Sequence, residues 1–149
     1  VRRVVAVAGI LLAGLVAAPP AWSDANVDKP PIANADFELG QQAIQAKDWA
    51  TARYHLEIAA KAEPASADVR NLLGFAYRNL KDYPAALRSY QEALALDANH
   101  RGAREYLGET YVLLGDKAKA REQLAALERI CGRSCEEYVD LARAIAKAQ

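Results

Sequence analysis

The chain is poor in the residues that most often carry out catalysis. Its 149 residues include two histidines and two cysteines, and no glycine-rich loop of the kind that cradles a phosphate. Glu105 and Glu109 lie four residues apart on one predicted helix, but such a pair is more often polar surface than an acid–base pair. We therefore do not expect an enzyme.

An excess of one charge is also missing, and so is a long hydrophobic run. Lysine and arginine together number 19, as do aspartate and glutamate, and the basic residues do not cluster. A nucleic-acid partner is therefore not expected, because such proteins concentrate positive charge on one face. The apolar run from Val4 to Ala18 ends at Pro19-Pro20 and is shorter than the roughly 20 residues that span a bilayer.

This apolar run is the central part of an N-terminal segment with the layout of a secretory signal peptide. The basic pair Arg2-Arg3 precedes the run, and the small residues Ala21 and Ser23 follow it. We expect cleavage after Ser23 or, alternatively, after Ala25.

Two expectations follow for the N-terminal part of the chain. Residues 1–23 are removed, so that the mature protein is periplasmic or secreted and has no stable membrane anchor. Residues 24–33 form an extended leader, because Pro30 and Pro31 disfavour a helix before them.

The remainder of the sequence repeats with a period of 34 residues. Leu39-Gly40, Leu73-Gly74 and Leu107-Gly108 recur at this interval, and alanine does the same at 52, 86 and 120. A fixed period of this length is typical of stacked helical hairpins. The three repeats span residues 33–66, 67–100 and 101–134.

The middle repeat resembles the tetratricopeptide repeat family. That family has a Leu-Gly pair, an aromatic residue, an alanine, a second aromatic residue and a second alanine at set spacings. The first repeat departs from this pattern at Ala43 and the third at Leu127. The resemblance implies an all-α, right-handed superhelical solenoid of three repeats. The matching residues of the middle repeat are Leu73, Gly74, Tyr77, Ala86, Tyr90 and Ala93.

Turn residues predict where the helices begin. Asp48, Asp82 and Asp116 each lie between two helices, where a carboxylate accepts a hydrogen bond from the backbone of the next helix. Pro84 follows one of them and is tolerated in a first helical turn. The predicted helices span residues 35–46, 49–62, 67–80, 83–96, 101–114, 117–130 and 135–147.

The last of these helices is predicted to cap the solenoid over residues 135–149, since a repeat array must cover its final hydrophobic face. Ser134 and Glu137 have the spacing of a capping box at its start. Tyr138, Leu141 and Ile145 then form an apolar stripe at helical spacing.

Both cysteines lie at the corner before this helix. In an exported protein, Cys131 and Cys135 are most simply a disulfide, with no metal and no cofactor. The alternative is a thiol-redox or metal-handling accessory protein, because Cys135 begins a helix and a helix N-terminus lowers the pKa of a thiol.

The resemblance also implies that a protein or peptide partner binds the concave face, which the first helix of each hairpin lines. Family members that hold the acidic C-terminus of chaperones use a clamp of Lys, Asn and Arg. This chain has no such clamp, because those positions hold Phe37, Gln41, Leu72, Gly102 and Tyr106. The candidate groove residues are Phe37, Gln41, Asn71, Phe75, Arg78, Glu105, Tyr106, Glu109 and Arg143.

Three of these candidates, Phe75, Arg78 and Tyr106, are of the types that most often anchor interfaces. The sequence therefore predicts a non-catalytic protein–protein interaction module or scaffold of the bacterial cell envelope. A further alternative is an assembly subunit whose groove is filled by its own leader or by another copy, which leaves a homo-oligomer open.

Overall fold

A computed structural model describes residues 31–148, with side chains from residue 35 onward. This part of the chain forms helices and turns and contains no strand. None of the helices within it is both long and apolar enough to cross a bilayer. The proposed signal peptide, residues 1–23, lies outside the described residues. The helices are α1 (Pro31–Gln45), α2 (Trp49–Ala62), α3 (Ala67–Asn79), α4 (Tyr83–Leu96), α5 (Arg101–Leu113), α6 (Lys117–Cys131) and α7 (Glu136–Lys147).

Helix α1 begins earlier than the sequence predicted. Residues 31–33 were expected to belong to an extended leader, and they are the first residues of the helix. The reason is that Pro31 occupies the first helical position, where a missing backbone N–H costs nothing and the fixed φ of proline suits the helix. The remainder of the expected leader, residues 24–30, lies outside the described residues.

Aspartate caps begin the second helix of every hairpin, as predicted. The side chains of Asp48, Asp82 and Asp116 accept hydrogen bonds of 3.1 Å from the backbone N–H groups three residues further on. Each cap satisfies a donor that would otherwise have no partner at the helix N-terminus. Pro84 lies in the first turn of α4, also as predicted.

The turn inside each hairpin requires one residue in the left-handed region. Lys47 and Lys81 have φ values of 58° and 64°, and Gly115, at the equivalent position of the third hairpin, has 78°. Glycine takes this conformation freely, whereas a residue with a Cβ is strained in it by about 1 kcal/mol. The three hairpins therefore have one turn geometry but not one turn sequence.

The odd-numbered helices form an inner row and the even-numbered helices an outer row. Helix α3 contacts both α1 and α5, and α7 contacts α5. By contrast, no Cα atom of α4 comes within 8 Å of α2 or α6. Because the inner helices touch and the outer helices diverge, the inner row lines the concave side, which we call the groove face.

Glycine allows the closest helix contacts, but the neighbouring residue differs among the repeats. A Cβ at Gly40 would lie 2.7 Å from the side chain of Leu56, and one at Gly74 would lie 2.7 Å from the ring of Tyr90. Both neighbours come from the second helix of the same hairpin. At Gly108 the neighbour is Leu141 of α7, at 2.5 Å, so the third hairpin is completed by the cap helix.

Helix α7 covers the end of the solenoid as predicted, but the capping box predicted at its start does not form. Leu141 and Ile145 are buried in the core of the C-terminal half, and Tyr138 packs against them. The N-cap residue is Cys135, in an extended conformation and without a side-chain cap bond, so Ser134 lies outside the helix. Glu137 instead pairs with Arg101 of α5 at 3.4 Å.

Candidate functional site

A cluster of three aromatic rings and one arginine lies at the centre of the groove face. The rings of Trp49 and Phe75 meet edge to face at 5.7 Å, and those of Phe75 and Tyr106 lie 4.9 Å apart. The guanidinium of Arg78 lies 5.1 Å from the centre of each of the last two rings. We call Trp49, Phe75, Arg78 and Tyr106 the aromatic cluster.

Arg78 is fixed by charge as well as by the rings. Its guanidinium donates a hydrogen bond to the carboxylate of Glu109, and only 14% of the arginine side chain is exposed. A cation held between ring faces and a carboxylate keeps one conformation, because each contact restrains the others. The structure thus brings together Phe75, Arg78, Tyr106 and Glu109, which the sequence had assigned to one surface.

The other predicted groove residues are divided between surface and interior. Gln41 and Arg143 are exposed, and Phe37 is partly buried against the core of the first two repeats. Asn71 was expected in the groove, but it is buried, with 6% of its surface exposed. The reason is Gly102, where a Cβ would lie 3.2 Å from the Asn71 amide nitrogen, so that α5 approaches and covers the side chain.

Glu105 occupies the position equivalent to Asn71 one repeat later, and it is half-buried. Burial, together with the neighbouring carboxylates of Glu109, Asp140 and Glu137, raises its pKa to about 7. Arg78 opposes this effect weakly. A carboxyl group with a pKa of about 7 is partly protonated at neutral pH, and its protonated form can donate a hydrogen bond, so Glu105 adds an adjustable polar group beside the aromatic cluster.

Next to the aromatic cluster, the groove face contains a cavity of about 410 Å³. Tyr83, Val112 and Leu113 supply most of its apolar wall, and Arg78 and Glu109 form its border with the cluster. The exposed side chain of Leu113 (60%) adds an apolar edge. Cavities of this size are within the range that small ligands and single peptide side chains fill.

Sequence reasoning missed Trp49. It begins α2, directly after the cap Asp48, and its ring reaches Phe75 on α3. The signal was present at the next repeat, because Tyr83 occupies the equivalent position and lines the cavity beside Glu109. An aromatic residue at the start of a second helix can therefore reach the groove face.

Cys131 and Cys135 are joined by a disulfide in this structure. Their sulfur atoms and a carboxylate oxygen of Glu137 lie within 4.8 Å of one another. Disulfide sulfur is a poor metal ligand because metal binding requires the thiolate. The corner therefore serves to link α6 with α7 in this state.

Comparison with known proteins agrees with this architecture. Residues 67–100, the middle repeat, match the sequence description of the tetratricopeptide repeat. The tetratricopeptide repeat domain of Arabidopsis OM64 superimposes with a TM-score of 0.72 at 17% identity, covering 79% of this chain and 97% of that one. The fold is that of a tetratricopeptide repeat domain.

Two further proteins are similar to parts of this chain. The yeast Sti1 TPR2B domain, solved as a complex with pHsp70, superimposes with a TM-score of 0.71 at 20% identity and covers 79% of this chain and 98% of that one. Anaphase-promoting complex subunit 3 of Schizosaccharomyces pombe is 31% identical over 97 residues, which is 65% of this chain. The chain spans about 15% of the length of that relative.

Proposed function

We propose that the protein is a non-catalytic interaction module that binds an extended segment of a protein partner on its groove face. The observation that carries the proposal is the aromatic cluster, in which Arg78 lies between Phe75 and Tyr106 and pairs with Glu109. Aromatic residues and arginine dominate the energy of protein interfaces, and a cluster that is already ordered loses little entropy on binding.

The mode of binding differs from that of a carboxylate clamp. Phe37, Gln41 and Tyr106 occupy positions where clamp members of the family carry basic or amide groups. The Sti1 domain, solved as a complex with pHsp70, supports the idea that this architecture can hold a protein ligand. In this chain the ligand is expected to place an apolar or aromatic side chain against Phe75 and the neighbouring cavity, without the need for a free C-terminus.

The proposal is tested with peptides selected from a random-peptide display library on the immobilised protein. Phe75→Ala and Tyr106→Ala should each weaken binding of the selected peptides by about 1–3 kcal/mol, because each removes a ring of the aromatic cluster. Tyr54→Ala is the matched control, since Tyr54 is 59% exposed on the outer helix α2. Calorimetry gives the affinities, and circular dichroism shows that each variant is folded.

A thiol-based function is separated by one more variant. Replacing Cys131 and Cys135 with serine together should lower stability but leave peptide affinity nearly unchanged, because the corner shares no residue with the aromatic cluster. If the two groove variants bound the selected peptides normally and the serine variant no longer bound them, the groove proposal would be excluded.

We also propose that the protein acts after export, in the bacterial periplasm or outside the cell. The support is the signal-like sequence of residues 1–23, with its basic start and apolar centre. Mass spectrometry of the protein purified from its own host should show loss of 23–25 N-terminal residues. An intact N-terminus on the protein in the envelope fraction would contradict this proposal.

A further inference from the structure

Two cavities at the ends of neighbouring repeats are built from equivalent positions. We call them the repeat-2 cavity, of about 240 Å³, and the repeat-3 cavity, of about 360 Å³. Every residue that lines the repeat-2 cavity has a counterpart 34 positions later in the lining of the repeat-3 cavity. The repeat-2 cavity is lined by Pro64, Arg70, Glu92, Ala95 and Leu96, and the repeat-3 cavity by Ala98, Asn99, Arg104, Ala126, Arg129 and Ile130.

Charge is balanced in the repeat-2 cavity. Arg70 extends from α3 toward α4, where its guanidinium lies 3.1 Å from the carboxylate of Glu92. A carboxylate on the neighbouring helix thus neutralises the arginine from within the same hairpin. This ion pair shows which anion the site geometry accepts.

Charge is unbalanced in the repeat-3 cavity. Arg104 keeps the place of Arg70, but Ala126 replaces Glu92 and Arg129 replaces Ala95. No carboxylate lines this cavity, and none of the ion pairs among the described residues involves Arg129. Two like charges therefore border a cavity that no glutamate side chain enters.

Hydrogen bonds fix the orientation of the Arg104 guanidinium. Its Nε and Nη2 groups donate to the backbone carbonyl of Ala98 at 3.2 and 2.9 Å, and Nη1 donates to Gln123 at 2.9 Å. A guanidinium has five N–H donors, so one remains free on each terminal nitrogen. Burial lowers the pKa of Arg104, and the charge of Arg129 lowers it further, so nearby positive charge is uncompensated.

We infer that the repeat-3 cavity binds a carboxylate from an acidic segment of a partner protein, in the place that Glu92 fills in the repeat-2 cavity. Arg104 and Arg129 would bind the two oxygens, and Asn99 would add a polar contact. The site shares no residue with the aromatic cluster, so the inference does not depend on the proposed function of the groove.

The test is an NMR titration that follows the Nε–H signals of the arginine side chains. The probe is a blocked hexaglutamate peptide, added at constant ionic strength, with inorganic phosphate as a second probe. We expect a saturable shift at Arg104 and Arg129 with hexaglutamate and no saturable shift at Arg70. Saturation by phosphate but not by hexaglutamate would overturn the assignment of the ligand as a carboxylate.

Variants of the cavity sharpen the test. Ala126→Glu restores the carboxylate of the repeat-2 cavity and should weaken hexaglutamate binding at least ten-fold, whereas Ala126→Gln, of nearly the same size but neutral, should weaken it less. Arg129→Ala, an exposed substitution, should also weaken binding at least ten-fold. Equal shifts at exposed arginines throughout the protein, unaffected by these variants, would mean non-specific charge screening and would overturn the inference.

The equivalent positions also allow the site to be transplanted. Glu92→Ala combined with Ala95→Arg gives the repeat-2 cavity the charges of the repeat-3 cavity. We expect this double variant to gain a saturable shift at Arg70 and to bind a second hexaglutamate peptide. A folded double variant that keeps a single site would show that the two arginines are not sufficient.

Discussion

The second and third repeats differ more in packing than in sequence pattern. In the second, Gly74 faces Tyr90 of the same hairpin, so the two helices of the hairpin meet directly at this position. In the third, Gly108 faces Leu141 of α7, and Leu124, which is equivalent to Tyr90, is only partly buried. The comparison teaches that a repeat can keep the Leu-Gly pair and Ala120 and still depend on its neighbour for its core.

The largest expected effect is at Leu141, the residue of α7 that packs over Gly108 of the third repeat. Leu141→Ala should lower the free energy of unfolding by about 2–5 kcal/mol, because Leu141 is fully buried and its loss leaves a cavity over Gly108. Leu124→Ala, the matched control, should cost at most about 2 kcal/mol. Urea unfolding measures both. If Leu124→Ala were the more costly change, the third hairpin would close on itself like the second.

A smaller effect is expected at the glycines. Gly74→Ala should cost about 1–3 kcal/mol, because the new Cβ would lie 2.7 Å from the rigid ring of Tyr90. Gly108→Ala should cost less, since the flexible side-chain end of Leu141 can move away from the new Cβ. Thermal unfolding compares the stability of the two variants. Equal losses of stability would contradict the proposed difference in packing between the two repeats.

The smallest expected effect, because Glu105 is only half-buried and solvent screens its charge, is a dependence on pH. Because the pKa of Glu105 rises from 4.5 to about 7 on folding, the folded protein binds more protons than the unfolded chain between these values. Stability should therefore fall as the pH rises from about 4.5 to about 7 and change little above that range.

Glu105→Gln should flatten this dependence and raise the melting temperature at pH 8. Glu122→Gln is the control, because Glu122 is exposed on the outer helix α6 and should leave the slope unchanged. Melting temperatures of the three proteins across this pH range make the measurement. If Glu105→Gln left the change in melting temperature with pH unaltered, the pH dependence would come from another group.

Local sequence predicted the helices well where the signal is a single side-chain contact. Asp48, Asp82 and Asp116 cap helices as expected, because an aspartate before a helix needs only the backbone three residues on. The capping box at Ser134 had the same local logic but failed. The start of α7 coincides instead with Cys135, which is bonded to α6, and the helix packs through Leu141.

The candidate site was predictable only as far as it follows the inner helices. Phe75, Arg78 and Tyr106 lie on the inner helices α3 and α5, and their side chains meet in space. Asn71 occupies a similar position but is buried, because Gly102 of the next repeat lets α5 come close. Trp49 could not be found among the inner helices, since it belongs to α2.

The contact of inner helices without contact of outer helices has a mechanical consequence. The repeats are joined by packing of α2 on α3 and of α4 on α5, and by side-chain bridges such as that from Tyr77 to Glu57, at 2.8 Å. A load that opens or closes the groove therefore acts on these junctions, and the helices themselves need not unwind. The molecule should behave as a short spring, whose curvature changes through strain at these junctions.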